Sequence, residues 1–226
     1  MKDLAVMLLL VVIAVMLIAC IALVVELDKA RSAAQIVERV IEVVGVPIEF
    51  VYYSGTELTE EVRKIVEGGG TQDVLDFFTY YTNNVHVSSS IVQESINQQV
   101  PITSAFALAW GESRFRTQLT NTNGGHSTDW GLFQLNDGHR QSWTREDFFD
   151  VEKNTKEGIG YFAYSLRTFD GDLTLSIAGY NKGVENVRGG APSSYHTLSH
   201  INNIIEYDHT LEIALNRFVY RWNHER

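Results

Sequence analysis

The sequence is poor in cysteine and in clustered positive charge, and each absence excludes a class of protein. Cys20 is the only cysteine, which excludes an intramolecular disulfide and a cysteine-based metal site. The 18 Lys and Arg against 28 Asp and Glu give a net charge of −10, without the basic clusters that phosphate binding needs. We therefore expect no nucleic acid partner. Low-complexity tracts and internal repeats are also absent, and the apolar fraction of 45% is normal for a globular protein.

One long uncharged run is present, from Leu4 to Val25. As a helix it would span about 33 Å, enough for the core of a bilayer, so residues 1–25 predict a transmembrane anchor. The segment Leu17–Cys20 also resembles a bacterial lipoprotein cleavage box, in which the cysteine is lipidated. The apolar residues Ile21–Val25 depart from that pattern, which favours the uncleaved anchor. Either alternative tethers the rest of the chain to a membrane.

After this run, residues 26–54 predict a stalk or linker, and residues 55–226 predict one mainly helical domain. The glycines Gly68–Gly70 are expected to end a helix that starts near Thr59. Only the stretch from Thr128 to Asn136 has a β-like pattern. The start signals of the later helices are Ser90 with Gln93, Pro101, Thr144 with Asp147, Asn154 with Glu157, and Asp172.

Two carboxylates are candidates for general acid/base chemistry. Glu112 follows an apolar helical run whose residues Ala105 and Leu108 share its face, and such surroundings disfavour the charged form of a carboxyl group. Asp129 follows in a glycine-containing segment. A pair of carboxylates about 5–5.5 Å apart is the arrangement of retaining glycosidases. The alternatives are that Glu112 pairs with Arg114 or Arg116 and that Asp129 only shapes a turn.

The histidines suggest a metal site only weakly. His196 and His200 are four residues apart, as ligands on one helical face would be. The glutamate of a zinc-protease motif does not follow the first histidine, and a third ligand is not evident. We interpret both as surface or helix-capping histidines and expect neither a metal nor a cofactor.

Four ordered motifs carry a family resemblance. They are Glu112-Ser113, Gly131-Leu-Phe-Gln134, Phe149-Asp-Val-Glu-Lys-Asn154 and Ala178-Gly-Tyr-Asn-Lys-Gly183. Over residues 100–215 the chain resembles the lytic transglycosylase (SLT) domain of the lysozyme-like superfamily. The resemblance implies a helical, lysozyme-like fold with a small β-like region, and bacterial peptidoglycan as the substrate. It also implies a place in the cell envelope, with the catalytic domain on the peptidoglycan side of the membrane.

The resemblance assigns roles residue by residue. Glu112 matches the single catalytic acid/base of the family, while Ser113 and Gln134 match cleft positions near the scissile sugar. Tyr180 and Asn181 match the motif that contacts muramic acid. Tyr207 matches a later tyrosine that supports the catalytic glutamate, with Tyr195 as a rival. These matches imply cleavage of the bond between N-acetylmuramic acid and N-acetylglucosamine with formation of 1,6-anhydro ends.

Two departures keep alternatives open. Phe133 stands where the family has Met, a change that an apolar wall tolerates. The loop Asn123–Gly131 is closer to that of animal-type lysozymes, in which the aspartate of the loop works with the glutamate. A peptidoglycan hydrolase that uses Glu112 and Asp129 is therefore the first alternative, and a non-catalytic cell-wall-binding scaffold is the second.

Overall fold

The computed structural model describes residues 51–190 and 194–225. Residues 52–226 form one compact unit. The predicted anchor over residues 1–25, Cys20 and most of the predicted stalk lie outside the described residues. Within the described ranges, no helix is both long and apolar enough to cross a membrane.

The first helices are joined by a bend at glycine. Helix α1 spans Gly55–Ile65, a π-helical turn spans Val66–Gly70, and helix α2 spans Thr71–Thr82. Gly69 has φ of 91°, which a residue with a side chain rarely adopts, so the glycines separate the two helices as the sequence predicted. The segment before α1 is tied to the domain, because the Tyr53 amide donates to the Asn216 side chain at 2.8 Å.

Helix α3, Val85–Gln98, does not start where the sequence predicted. Its N-cap is Asn84, whose side chain accepts from the backbone amides of His86 and Val87. Ser90 is buried inside the helix, so its assignment as a capping residue was wrong. A serine followed three residues later by glutamine also occurs inside helices, where packing rather than capping determines the position of the serine.

Helix α4, Ile102–Ser113, is the central helix of the domain. Pro101 precedes it as predicted, and every residue from Ile102 to Ala109 is buried. A helix that is buried on all sides must be surrounded by other elements. Helix α9, Tyr195–His224, packs along it, and Gly111 permits the close approach because an added Cβ would lie 2.4 Å from Ile204.

A small antiparallel sheet follows α4, with strand order β1-β2-β3. The strands are Thr120–Asn123, Ser127–Trp130 and Leu135–Asn136, and Asp129 pairs with both Asn121 and Asn136. The predicted β-like stretch covers β3 and all of β2 except Ser127, but it missed β1. The reason is physical: β1 is polar and exposed along its whole length, so it has no alternation of apolar residues.

The remaining helices follow a short 3₁₀ turn at Asp137–His139. They are α5, Arg145–Phe149; α6, Val151–Thr168; α7, Leu173–Lys182; and α8, Val184–Arg188. Thr144 forms the predicted capping box, and Asp172 caps α7 as predicted. The start predicted at Asn154 was wrong, because α6 is capped by Asp150 and Asn154 is buried within it.

Candidate active site

A cavity of about 900 Å³ lies where the sheet faces the C-terminal end of α4 and helix α7. It brings together five of the residues that the sequence singled out: Glu112, Asp129, Gln134, Tyr180 and Asn181. These residues come from α4, β2, the loop before β3 and the end of α7. The fold therefore collects in one cavity residues that are up to about seventy positions apart in the chain.

Glu112 occupies the last turn of α4 with a side chain that is 12% exposed. Its Oε1 lies 3.3 Å from Nε2 of His200, on the facing turn of α9. Arg114 instead places its guanidinium 3.2 Å from the centre of the Trp110 ring, and Arg116 donates to the Ser113 carbonyl. The partner of Glu112 is thus a histidine rather than either arginine that the sequence offered.

His200 is a site residue that the sequence reasoning missed. Its spacing favours a surface or helix-capping histidine, yet the structure places its side chain against Glu112, 88 positions earlier. The hydrogen bond to Glu112 raises the pKa of His200, while partial burial and the charge of Arg114 oppose the rise. Among the described residues, no three His, Cys, Asp or Glu side chains come together as metal ligands.

Asp129 is held by side-chain amides from both neighbouring strands. Its Oδ1 accepts from Asn136 at 2.7 Å and its Oδ2 accepts from Asn123 at 2.8 Å. Asn136 lies directly opposite Asp129 in the sheet, and Asn123 is its diagonal neighbour on the other side. Both carboxylate oxygens are therefore oriented by donors, and Asp129 does more than bond its own turn.

Asp137 supports the same strand from the 3₁₀ turn. It accepts from the Thr128 amide at 2.9 Å and from Trp130 Nε1 at 3.1 Å. The bond from the Thr128 amide, followed by the bond from Trp130, lowers the pKa of Asp137. Its carboxylate fixes the residues on either side of Asp129.

The loop that carries Gln134 is clamped from α6. Asn154, buried to 1% exposure, accepts from the Phe133 amide at 2.8 Å and donates to the carbonyls of Trp130 and Phe148. Gln134 has φ of 47° and donates to the carbonyls of Leu119 and Gly131. Asn154, the last residue of the third motif, therefore holds the loop of the second motif in place through these hydrogen bonds.

Tyr180 and Asn181 form the opposite wall. The Tyr180 hydroxyl donates to the Phe133 carbonyl at 2.8 Å, which links α7 to the clamped loop. Burial, and after it the charge of Glu112, raises the pKa of Tyr180 well above its usual range, while Arg140 opposes the rise. Tyr180 is consequently a stable hydroxyl donor beside Glu112.

Ser113 and Tyr207 do not line the cavity. Ser113 is fully buried, and its hydroxyl donates to the Ala109 carbonyl within α4. Tyr207 stacks on Trp110 with ring centres 4.4 Å apart, and burial raises its pKa to about 12. Tyr195 is 82% exposed. The side chain in hydrogen-bond contact with Glu112 from α9 is His200, rather than either tyrosine.

Comparisons with known proteins agree with the resemblance. The transglycosylase SLT domain family matches residues 89–200, a range that contains the five cavity residues and ends at His200. It begins earlier than the expected residue 100 and ends before Tyr207. A search of curated proteins gave no significant match.

Two solved structures match part of the chain. An inactive mutant of the lytic transglycosylase Slt from Pseudomonas aeruginosa is 18% identical, with a TM-score of 0.48, over 71% of this chain and 30% of that chain. The 70 kDa soluble lytic transglycosylase from Escherichia coli is 22% identical, with a TM-score of 0.44, over 63% of this chain and 24% of that chain. This chain therefore spans less than a third of the length of either protein.

Proposed function

Because residues 89–200 of this chain belong to the transglycosylase SLT domain family, we propose that the protein is a peptidoglycan lytic transglycosylase with Glu112 as its acid/base. The observation that carries the proposal is the placement of Glu112. It is largely buried, contacts one side chain that can hold or release a proton, and faces the cavity that the family's motifs line. A group in this position can exchange a proton with a bound substrate.

The proposed reaction uses one carboxyl group twice. Protonated Glu112 donates to the oxygen between N-acetylmuramic acid and N-acetylglucosamine, and the C1–O bond breaks as that oxygen leaves as a hydroxyl. The acetamido group of the substrate stabilises the positive centre at C1. The Glu112 carboxylate then takes the proton of the C6 hydroxyl, whose oxygen bonds to C1 and closes the 1,6-anhydro ring. Glu112 ends protonated, and no water is consumed.

Neighbouring side chains support these steps. His200 orients the Glu112 carboxyl group through the 3.3 Å contact, so we assign it as a positioning residue. We assign Tyr180 and Asn181, which line the same cavity as Glu112, to the binding of muramic acid.

Digestion of purified peptidoglycan in water labelled with heavy oxygen tests the proposal. The full-length protein should release fragments with 1,6-anhydro ends that carry no label, because no water enters the product. Mass spectrometry of the new ends reads the result. Fragments with labelled reducing ends would overturn the assignment and identify a hydrolase.

Asp129 supports hydrolysis as a second candidate function. Its two oxygens are oriented by Asn123 and Asn136, and it lines the same cavity as Glu112. In a lysozyme-type reaction Glu112 would protonate the leaving oxygen and Asp129 would stabilise or bond to C1, after which water completes the cleavage. The labelled-water digestion separates the two functions.

We also propose that Leu4–Val25 anchors the protein in a bacterial membrane, with the domain on the peptidoglycan side. The uncharged run supports the anchor, because its length suits a bilayer core, and the peptidoglycan side follows from the proposed substrate. Mass spectrometry of the mature N-terminus in the membrane fraction is the test. An intact Met1 supports the anchor, a lipidated Cys20 supports the lipoprotein alternative, and recovery only in the soluble fraction contradicts both.

A further inference from the structure

The C-terminal end of α9 carries exposed basic side chains. Arg217 and Arg221 are four residues apart and follow Ile213 at the same spacing, so the three side chains lie along one face of the helix. Both arginines are exposed. From Ile213 to His224 the sequence has no Asp or Glu, although the whole chain carries a net charge of −10. This end of α9 is therefore a basic face on an acidic protein.

The positive charges of this face are not neutralised by neighbouring carboxylates. The ion pairs formed by the described residues include neither Arg217 nor Arg221. Glu225 follows Arg221 by four residues but is not paired with it. Glu212, in the preceding turn, has a side chain that is 15% exposed and lies 3.8 Å from His209. The two guanidinium groups are thus available to an anionic partner.

Exposed apolar side chains lie beside the arginines. Ile213 is 37% exposed, and Val51 and Tyr52 are 58% and 47% exposed. The segment before α1 is held against α9, because the Tyr53 amide donates to Asn216 and the Asn216 side chain donates to the Tyr53 carbonyl, both at 2.8 Å. Arginines next to aliphatic and aromatic side chains are typical of surfaces that bind the interface of an anionic bilayer.

The connection along the chain favours lipid over other anionic partners. Residues 26–51 separate Tyr52 from the uncharged run Leu4–Val25, which is the proposed membrane anchor. A tether of this kind raises the effective concentration of the face at a bilayer surface, so weak attraction gives a large bound fraction. Each arginine near an anionic surface strengthens binding about fivefold. A polymer that is free in solution lacks the advantage of the tether.

We propose that this end of α9 docks on an anionic lipid surface, with its guanidinium groups paired to lipid phosphates. The docking face consists of Val51, Tyr52, Ile213, Arg217 and Arg221. This inference rests on the proposed anchor, and it does not depend on the proposed reaction. Arg217 follows His200 by about 25 Å along the axis of α9, so docking leaves the cavity beside Glu112 accessible to a glycan strand.

Arginine footprinting of the full-length protein in nanodiscs tests the proposal. Discs of phosphatidylcholine alone are compared with discs of equal parts phosphatidylcholine and phosphatidylglycerol, and mass spectrometry measures the phenylglyoxal modification of each arginine. Arg217 and Arg221 should react at least about fivefold more slowly in the anionic discs, and high salt should remove the difference. Arg167, exposed on α6, is the internal control and should react equally in both. Equal rates for Arg217 and Arg221 in the two kinds of disc would overturn the proposal.

A charge-matched pair of double variants gives a second readout. Energy transfer from the tryptophans to dansyl-labelled lipid headgroups reports the proximity of the domain to the bilayer. Arg217→Gln with Arg221→Gln should lower the transfer in anionic discs to the level seen in neutral discs. Arg145→Gln with Arg167→Gln removes the same charge from exposed positions outside the docking face and should leave the transfer unchanged. Equal transfer in the two double variants would contradict lipid docking.

The same samples separate this proposal from the others. A protein that does not co-purify with neutral discs refutes the anchor, while protection of Arg217 and Arg221 by anionic discs still supports the docking face. Co-purification without protection refutes docking alone. Protection by a soluble anionic wall polymer, with none from anionic lipid, assigns the face to that polymer and overturns the lipid proposal. Both double variants should cleave solubilised peptidoglycan at the unmutated rate, so failure of the proposed reaction is recognised independently.

Discussion

Glu112 and Asp129 reach the same cavity from two regions that are ordered by different forces. Glu112 ends a helix whose residues Ile102–Ala109 are all buried. Asp129 lies in a sheet whose first strand is exposed along its length, and its carboxylate is held by two amides. Apolar packing positions the first carboxyl group, and polar pairing positions the second.

This difference predicts which substitutions should lower stability and which should lower turnover alone. The helical region cannot change without disturbing the core, whereas the sheet can lose a polar pair at little cost in folding free energy. Asn154 is the exception that joins the two, because it is buried in α6 and bonded to the loop between β2 and β3. Substitutions in the two regions should therefore differ in whether they reduce turnover, stability or both.

The largest expected effect is on turnover, from Glu112→Gln. Loss of the acid/base should lower the rate of peptidoglycan cleavage by about 10²–10⁴-fold, with the glycan still bound. Release of soluble fragments measures the rate, and a pull-down with insoluble peptidoglycan measures binding. Glu57→Gln, an exposed glutamate in α1, is the control. Equal activity of the Glu112→Gln variant and the unmutated protein would refute the catalytic role and support the non-catalytic scaffold.

Asn154→Ala should lower both stability and activity, because Asn154 joins the two regions. It leaves the Phe133 amide and two carbonyls without their partner, so the free energy of unfolding should fall by about 2–4 kcal/mol. Thermal melting followed by circular dichroism should show a drop of roughly 5–15 °C. Activity measured below the melting range should fall as well, since Gln134 loses its support. A melting temperature that does not change would contradict the role of Asn154 as a clamp.

Gly111→Ala probes the helical region alone. The added Cβ would lie 2.4 Å from Ile204 and 3.5 Å from His200, which forces α9 away from α4. Overpacking of this kind costs about 1–3 kcal/mol. Gly68→Ala is the matched control, because nothing lies within 4 Å of its Cβ position. Urea unfolding measures the free energy of unfolding of both variants. Equal values would contradict the close packing of α4 against α9 at Gly111.

The smallest expected effect concerns pH, from His200→Gln. The pKa of His200 is raised in the folded state by its bond to Glu112, so the pair stabilises the fold fully below about pH 6.5. This contribution is lost as the pH rises through the folded pKa. Unfolding free energies measured between about pH 6 and pH 9 should show that dependence, and His200→Gln should remove it. The control His196→Gln, an exposed residue one turn earlier on α9, should retain it.

Local signals were enough to predict part of the fold. Pro101, Thr144 and Asp172 start helices because their effects act within three or four residues. Ser90 and Asn154 carry the same local signals but are buried inside helices by contacts that are distant in sequence. Tertiary packing outweighed capping at both positions.

The site was predictable to the extent that it lies within motifs. Glu112, Gln134 and Tyr180 each belong to an ordered motif, and all three line the same cavity. His200 was missed because its contact joins residues 88 positions apart and no pattern in α9 marks it. Asn123 and Asn136 could not be predicted as partners of Asp129, because their cross-strand positions follow only from the strand register.

The central claim is that Glu112 performs the chemistry alone, and product analysis of Asp129→Asn tests it most directly. The account predicts that this variant still forms 1,6-anhydro ends from purified peptidoglycan, with turnover within about tenfold of the unmutated protein. Mass spectrometry of the fragments and their rate of release give both quantities. Loss of turnover by about 10²-fold or more in a folded Asp129→Asn protein, together with reducing ends in the unmutated protein's products, would contradict the claim.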